Sequence, residues 1–142
     1  MKKTKTTDLS LRSKAFKTTR RRNNEVAAED YSELIADIIE ERGEARVGHI
    51  ADHLGVSHVT ALRTIRRLQE EGYLFTSPHK PVELTAKGKK VAEFSKERHE
   101  LLLSFFLKLG VPKKVAEVDV EGVEHHISKE TLGYIRRFME RC

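Results

Sequence analysis

The residues best suited to chemistry are carboxylates and histidines that recur at helical spacing in two distant parts of the chain. Glu121, Glu124 and His125 stand at i, i+3 and i+4, so a helix would project all three from one face. Asp30 and Glu33 form a second pair of the same kind, far upstream. Carboxylates on neighbouring helices repel one another unless a cation lies between them. The pattern therefore predicts a divalent metal ion bound by oxygen and imidazole ligands.

A further imidazole, that of His99, lies in an amphipathic segment between the two groups. The candidate ligands are then Asp30, Glu33, His99, Glu121, Glu124 and His125. Such a set suits Mn²⁺, Fe²⁺ or Zn²⁺ and contains no sulfur. Its carboxylates carry a charge that two divalent ions would neutralise, so the number of ions per subunit, one or two, stays open. His126 would point about 100° away from His125 around a helix and is interpreted as a structural neighbour.

The competing interpretation of these residues is a set of solvated helix faces. For any one of them alone, that interpretation is the better one. Three separate segments that all carry suitable ligands favour a metal site instead.

The apolar spacing predicts the elements that would position these ligands. Helices are predicted over residues 25–41, 46–54 and 57–71, with Ser57 as the cap of the third, and two short strands over 73–76 and 82–84. Helix, helix, glycine turn, helix and two-stranded wing is the order of a winged helix-turn-helix. A long helix over about 86–109 and two shorter ones, from about 112 and from 128, follow. The predicted fold is mainly α: a winged helix-turn-helix DNA-binding domain over 25–90, then an all-helical metal-binding and dimerisation domain over 91–142.

The third predicted helix and the wing carry the side chains that would contact DNA. The candidates are Ser57, Val59, Thr60, Arg63, Arg66, Arg67 and, in the wing, Lys80. Thr60 and Arg63, near the start of the helix, are placed to meet base edges, whereas Arg66 and Arg67 are better placed to hold phosphates. The alternative is a small helical domain with a solvated basic face, but the order of the helices and the wing favours DNA binding.

Charge is unevenly distributed along the 142 residues, whose net charge is +5. Residues 1–22 contain nine Lys or Arg and a single acidic residue, Asp8, so residues 1–24 are predicted to be a disordered basic tail. This tail is either a solubilising segment or an arm that contacts phosphates. The only cysteine, Cys142, cannot form an intrachain disulfide, and together with the lack of a signal-like segment this indicates the cytoplasm. No apolar run is long enough to cross a bilayer, so no membrane association is expected.

Six sequence blocks resemble, in order and in spacing, the diphtheria toxin repressor family of metal-dependent transcriptional regulators, above all its two-domain, manganese-responsive members. They lie within residues 29–139 and are Asp30-Tyr31, Gly43-Glu44-Ala45-Arg46-Val47, Leu84-Thr85-Ala86-Lys87-Gly88, Arg98-His99-Glu100-Leu101-Leu102, Gly110-Val111 and Val120-Glu121-Gly122-Val123-Glu124-His125-His126. The resemblance implies that the six candidate ligands bind the metal. It also implies a homodimer that binds a palindromic operator in double-stranded DNA and represses manganese uptake genes when metal is bound.

Two positions bear on the choice of metal. The iron-sensing relatives have a methionine where Asp30 stands and a cysteine where Glu121 stands. The resemblance therefore implies selectivity for Mn²⁺, with Fe²⁺ as the alternative activator. Because the chain stops after the helical segment, it is expected to lack the SH3-like third domain of the iron sensors.

The residues also suggest how metal could control DNA binding. Asp30 and Glu33 belong to the winged domain, so metal that ties them to the later ligands would fix that domain relative to the dimer and raise operator affinity. The dimer surface is expected on the apolar segment 101–109 and the last two helices, including Leu132, Tyr134, Ile135 and Phe138.

The same residues allow three alternative functions: a ferrous-iron-responsive regulator, a metal-independent winged-helix regulator and a helical di-metal enzyme. Di-iron enzymes of the helical type use two Glu-x-x-His motifs, which the candidate ligands do not form. The chain is therefore predicted not to be an enzyme and to take no organic substrate.

Overall fold

The computed structural model describes residues 9–142. The elements in chain order are α1 (Leu9–Arg42), α2 (Val47–Leu54), α3 (His58–Glu70), β1 (Leu74–Phe75), β2 (Glu83–Leu84), α4 (Ala86–Lys108), α5 (Lys113–Val123), a 3₁₀ turn (Glu124–His126) and α6 (Lys129–Glu140). Helices dominate, and a two-stranded wing follows α3, so the predicted mainly helical architecture is confirmed. None of the helices within residues 9–142 is long and apolar enough to cross a membrane.

The first lobe, formed by the second half of α1 with α2, α3 and the wing, has its own apolar core. Ile35 of α1, Ile50 of α2 and Ile65 of α3 are fully buried at its centre. The Oγ of Ser57 accepts a hydrogen bond from the backbone N–H of Thr60 at 3.1 Å, so Ser57 caps α3 as predicted. These contacts fix α2 and α3 against α1 and turn the opposite face of α3 towards solvent.

The wing is shorter than its sequence pattern predicts. Leu74 pairs with Leu84 and Phe75 with Glu83 in an antiparallel register, and an isolated bridge joins Val82 to Ala45. The segment between the strands contains two prolines, which lack the N–H that a longer ladder would need. The wing is therefore a minimal hairpin, held at its base by Ala45.

A close backbone contact joins the wing to α4. A Cβ on Gly88 would lie 2.0 Å from the carbonyl oxygen of Tyr73, so only glycine fits at this position. Thr85 caps α4 by accepting from the N–H of Gly88 at 3.2 Å, and its hydroxyl donates to the carbonyl of Gly72 at 2.6 Å. The start of α4 is thus fixed directly to the first lobe.

A second, smaller core lies between α4, α5 and α6, in what we call the helical lobe. Leu102, Val120 and Leu132 are buried there. Leu132 was expected on the dimer surface, and this expectation is wrong, because the side chain is only 3% exposed. Tyr134 and Phe138 lie elsewhere around α6 and remain exposed, so the apolar surface of this lobe is narrower than predicted.

The start of α1 differs most from expectation. The sequence predicts disorder over residues 1–24 and a helix from residue 25, yet α1 begins at Leu9, so the prediction is wrong for residues 9–24. Residues 1–8 lie outside the described residues. Packing of the second half of α1 supplies the costly helix nucleus, after which each added residue extends the helix at little cost. Leu9 and Phe16 stay 79% and 60% exposed, so the extension has helical backbone without burying its apolar side chains.

Candidate metal centre and nucleic-acid interface

Four elements supply the candidate metal ligands. Asp30 and Glu33 lie on α1 and His99 lies on α4. Glu121 lies in the last turn of α5, and Glu124 and His125 belong to the 3₁₀ turn. The prediction that one helix carries all three later ligands is wrong, because α5 ends at Val123. A 3₁₀ turn is tighter than an α-helix and commonly terminates one. The tighter turn directs Glu124 and His125 into the protein, where they are 2% and 9% exposed.

Three ligand atoms converge at the end of α5. His99 Nδ1 lies 2.8 Å from Glu124 Oε2 and 3.7 Å from Glu121 Oε1. One ligand atom from each of His99, Glu121 and Glu124 can be chosen so that all lie within 4.8 Å of one another. Such a spacing matches donors that share one cation, because oxygen and nitrogen ligands lie about 2.0–2.2 Å from a transition metal.

His125 links this group to α1. Its Nε2 lies 3.0 Å from Asp30 Oδ1 and 3.5 Å from Glu124 Oε1. The imidazole therefore stands between a carboxylate of the first lobe and one of the helical lobe. Residues more than 90 positions apart in the sequence meet here, as the metal hypothesis requires.

Glu33 is coupled to the same group through its charge. The pKa of the Glu33 carboxyl is raised to about 7, chiefly by burial and then by the negative charges of Glu124 and Asp37. His99 acts in the opposite direction and lowers it. Glu33 thus faces the charges of the later ligands, and the structure brings all six candidates into one region.

Burial also makes Glu124, the carboxylate of the 3₁₀ turn, costly to ionise. Burial raises the pKa of Glu124 above its usual value, although the hydrogen bond from His99 and its charge oppose this. The pKa of His125 is raised to about 10, first by the hydrogen bond with Asp30 and then by that with Glu29. In the metal-free protein, protons on Glu33 and His125 therefore offset the negative charge of the group.

This protonation pattern tests whether the residues fit a metal. A buried set of carboxylates and imidazoles that retains protons above their usual pKa is a site where a divalent cation would replace those protons. The donors are oxygen and nitrogen atoms, which suit Mn²⁺, Fe²⁺ or Zn²⁺. The residues present therefore fit a divalent transition metal.

Sequence reasoning missed two charged residues that border this group. Glu29 Oε2 lies 2.6 Å from both His125 Nδ1 and Arg98 Nη2, and Arg98 is only 3% exposed. A signal for Arg98 was present in the sequence, since it stands in the buried stripe of α4 between Ser95 and Leu102. A buried arginine needs an acidic partner, and Glu29 is that partner.

The candidate DNA-contacting side chains lie on one solvent-facing surface of the first lobe. Ala61, Ile65 and Leu68 turn inward, while the exposed side of α3 and the wing present Val59, Thr60, Arg63, Arg66, Arg67 and Lys80. Ser57 is exposed as well, and its hydroxyl is engaged with Thr60 in capping α3.

A cleft separates α3 from the wing. Arg66 and Lys80 line it, together with Arg46, His49 and His58, which sequence reasoning did not include. Arg46 also forms an ion pair with Glu44 at 2.9 Å. The cleft therefore collects positive and titratable groups from the start of α2, from α3 and from the wing, which is a surface that suits phosphates.

The DNA-contacting lobe and the metal-binding lobe each match a known family of protein domains. Residues 26–82 match the family model described as the iron dependent repressor N-terminal DNA binding domain, and residues 85–142 match the iron dependent repressor metal binding and dimerisation domain. Transcriptional regulator MntR of Escherichia coli O157:H7 is 42% identical over 126 residues, which cover 89% of this chain and 81% of that protein. Transcriptional regulator MntR of Salmonella typhimurium is 40% identical over 126 residues, 89% of this chain and 80% of that protein.

Among solved structures, a manganese-dependent transcriptional repressor in complex with manganese is similar, with a TM-score of 0.71 and 29% identity. The match covers 80% of this chain and 52% of the solved chain. The chain thus spans about half the length of that solved relative.

Proposed function

Because the chain belongs to the iron-dependent repressor family, we infer that it is a manganese-responsive transcriptional repressor that binds operator DNA as a homodimer. The observation that carries the metal dependence is the meeting of His99, Glu121 and Glu124 within 4.8 Å. His125 extends this group to Asp30 of α1, at 3.0 Å.

The residues proposed to hold Mn²⁺ are Asp30, Glu33, His99, Glu121, Glu124 and His125. Bound Mn²⁺ would supply positive charge to a group whose carboxylates otherwise repel one another. It would thereby replace the protons that offset this charge in the metal-free protein. Hard carboxylate donors at both Asp30 and Glu121 favour Mn²⁺, and Fe²⁺ is the alternative activator. Whether one or two ions bind per subunit is an outcome of the titration below.

The chain links this site to DNA binding through α1. Asp30 lies less than two turns before Ile35, which packs in the core that positions α3. The position of α1 against α4 therefore sets how the first lobe sits on the helical lobe. A two-fold dimer reads a palindrome only when its two recognition helices are about 34–36 Å apart, or a multiple of that. Fixing α1 before DNA arrives removes orientational freedom that DNA binding would otherwise have to remove.

On the DNA, we assign Thr60 and Arg63 to base edges and Arg66, Arg67 and Lys80 to phosphates. Val59 and Ser57 lie at the start of α3 beside them, at the end that enters the major groove in this class of motif. Their exposure and the positive cleft beside α3 support this assignment.

The exposed apolar side chains of the helical lobe support the homodimer. Leu109, Val118, Tyr134 and Phe138 are 60%, 71%, 60% and 46% exposed, and the matching family domain is described as one of metal binding and dimerisation. A regulator of this class acts on chromosomal DNA, so we place it in the cytoplasm and assign it no enzymatic activity and no organic substrate.

The experiment that tests this function is fluorescence anisotropy with a labelled palindromic operator, titrated with Mn²⁺, Fe²⁺ or Zn²⁺ after chelation. Wild type should bind the operator at least ten-fold more tightly in Mn²⁺ than in chelator, and Glu124→Ala should lose that difference. The matched control is Glu117→Ala, an exposed position on α5 one turn before Glu121, which should behave as wild type. Equal operator affinity in chelator and in Mn²⁺ would contradict the proposed function.

A further inference from the structure

Two carboxylates from adjacent positions on α1 hold opposite edges of the His125 ring. Asp30 Oδ1 lies 3.0 Å from Nε2, and Glu29 Oε2 lies 2.6 Å from Nδ1. The proposed metal site lies on the Nε2 side, where Glu124 Oε1 is also found, at 3.5 Å. Glu29 therefore contacts the edge of the imidazole that faces away from the ligands.

We propose that Glu29, anchored by Arg98, is the residue that orients His125 and fixes its tautomer for metal binding, an inference that rests on the metal centre proposed above. Glu29 is a positioning residue here, not a ligand. Its Oε2 already accepts from the guanidinium of Arg98 at 2.6 Å. That guanidinium is buried and permanently charged, so a divalent cation beside the same oxygen would be repelled.

The tautomer follows from which groups can accept a hydrogen bond. A histidine that binds metal through Nε2 needs its lone pair there, so its remaining ring proton must be on Nδ1. A carboxylate is only an acceptor, so the 2.6 Å contact with Glu29 Oε2 requires a proton on Nδ1, just as the contact with Asp30 Oδ1 requires one on Nε2 in the metal-free protein. Metal binding would displace the proton on Nε2 and leave the one on Nδ1, which Glu29 accepts. The carboxylate–histidine pair thus selects the form of His125 that can bind metal.

Arg98 makes this selection sensitive to the charge of Glu29. Its Nη2 lies 3.1 Å from His125 Nδ1 as well as 2.6 Å from Glu29 Oε2. The side chain cannot move away easily, because it is buried and its guanidinium carbon lies 5.4 Å from the centroid of the Phe94 ring. With Glu29 neutralised, Arg98 would donate to Nδ1 instead, and the ring proton would shift to Nε2, where the metal must bind.

The test measures Mn²⁺ affinity of the full chain by electron paramagnetic resonance of free Mn²⁺. Glu29→Gln keeps the size of the side chain and an acceptor oxygen, so it should fold, and we expect it to bind Mn²⁺ about 10–100-fold more weakly than wild type. The matched control is Glu25→Gln, an exposed carboxylate one turn earlier on α1, for which we expect wild-type affinity. A change of less than about two-fold in Glu29→Gln would overturn the proposal.

A second variant guards against a fold defect caused by the unpaired guanidinium. Glu29→Leu combined with Arg98→Met removes the acceptor and the buried charge together, and such replacements are often neutral for stability. We expect its thermal unfolding in chelator to resemble that of wild type while its Mn²⁺ affinity falls at least ten-fold. Wild-type Mn²⁺ affinity in this double variant would contradict the role of Glu29.

Nitrogen-15 NMR of the His125 ring, with Zn²⁺ as a diamagnetic probe, reads the tautomer directly. Wild type should show a protonated Nδ1 and a metal-bound Nε2. The double variant Glu29→Leu with Arg98→Met has no acceptor at Nδ1 and keeps Asp30 at Nε2, so it should show the Nε2-protonated form at the same Zn²⁺ concentration. An unchanged tautomer would overturn the proposal even if affinity fell, since it would indicate a structural role only. Failure of the metal centre itself would look different, because His125→Ala would then leave Mn²⁺ affinity unchanged.

Discussion

Replacing Glu33 by glutamine should stabilise the metal-free protein while weakening its response to Mn²⁺. The Glu33 pKa is raised from 4.5 to about 7 in the folded protein, chiefly by burial and then by the charges of Glu124 and Asp37. The folded state thus binds this proton more tightly than the unfolded state does, so stability falls as pH rises from 4.5 to 7 and stays lower above 7. At 1.36 kcal/mol per pKa unit the loss is roughly 3 kcal/mol, and solvent screening at this partly exposed side chain reduces it to about 1–2 kcal/mol.

The assay is urea denaturation in chelator at pH 4.5 and at pH 8. Glu33→Gln should be more stable than wild type by about 1–2 kcal/mol at pH 8 and nearly equal to it at pH 4.5. In saturating Mn²⁺ wild type should be the more stable of the two, because bound Mn²⁺ raises its free energy of unfolding more than that of the variant. The control is Glu40→Gln, two turns along α1 and exposed, which should show no such dependence on pH. If Glu33→Gln were destabilising at pH 8, or if both variants behaved alike, the electrostatic account of the site would be wrong.

Three further variants test the scaffold, the DNA interface and the dimer. Gly88→Ala would place a Cβ 2.0 Å from the Tyr73 carbonyl oxygen and should lower the free energy of unfolding by about 1–3 kcal/mol. The control is Gly122→Ala, where nothing lies within 4 Å of the added Cβ, and it should be neutral or stabilising. Equal effects of the two variants in urea denaturation would contradict the contact. Arg66→Gln should reduce the slope of log affinity against log salt by about 1, measured by anisotropy at several KCl concentrations, and an unchanged slope would remove Arg66 from the phosphate contacts. Phe138→Ser should raise the dimer dissociation constant at least ten-fold in sedimentation equilibrium, and an unaltered dimer would place the interface elsewhere.

The sequence predicts best where a local signal marks the boundary of an element. Ser57 caps α3 through its own side chain, and Gly55 adopts the left-handed conformation, with φ +67°, that the turn after α2 requires. Both signals depend on residues within one turn of the boundary, so the limits of α2 and α3 could be predicted closely. The candidate ligands on α1 and at the end of α5 could be singled out for the same reason, because helical spacing is a local property.

Features that depend on distant contacts could not be predicted in this way. The change from α5 to a 3₁₀ turn at Glu124 leaves no mark in the spacing of apolar residues. The turn fits the chain between the end of α5 and Ile127, just before the capped start of α6. Glu29 and Arg98 are 69 positions apart, and neither one alone reveals the ion pair. Helix formation before residue 25 was missed because the amino-acid composition indicates only whether a segment can bury an apolar core. A helix that is already packed at one end can continue along the chain without one.

The continuous course of α1 has a mechanical consequence. Asp30 and Glu33 lie well inside this 34-residue helix, and the stretch from Asp30 back to Leu9 is about 30 Å long at 1.5 Å per residue. A tilt of roughly 10° about the ligand positions would displace the far end of such an arm by about 5 Å. A small change in the angle of α1 at the carboxylates would therefore become a much larger displacement of the positively charged side chains of Arg12, Lys14 and Lys17 near its far end.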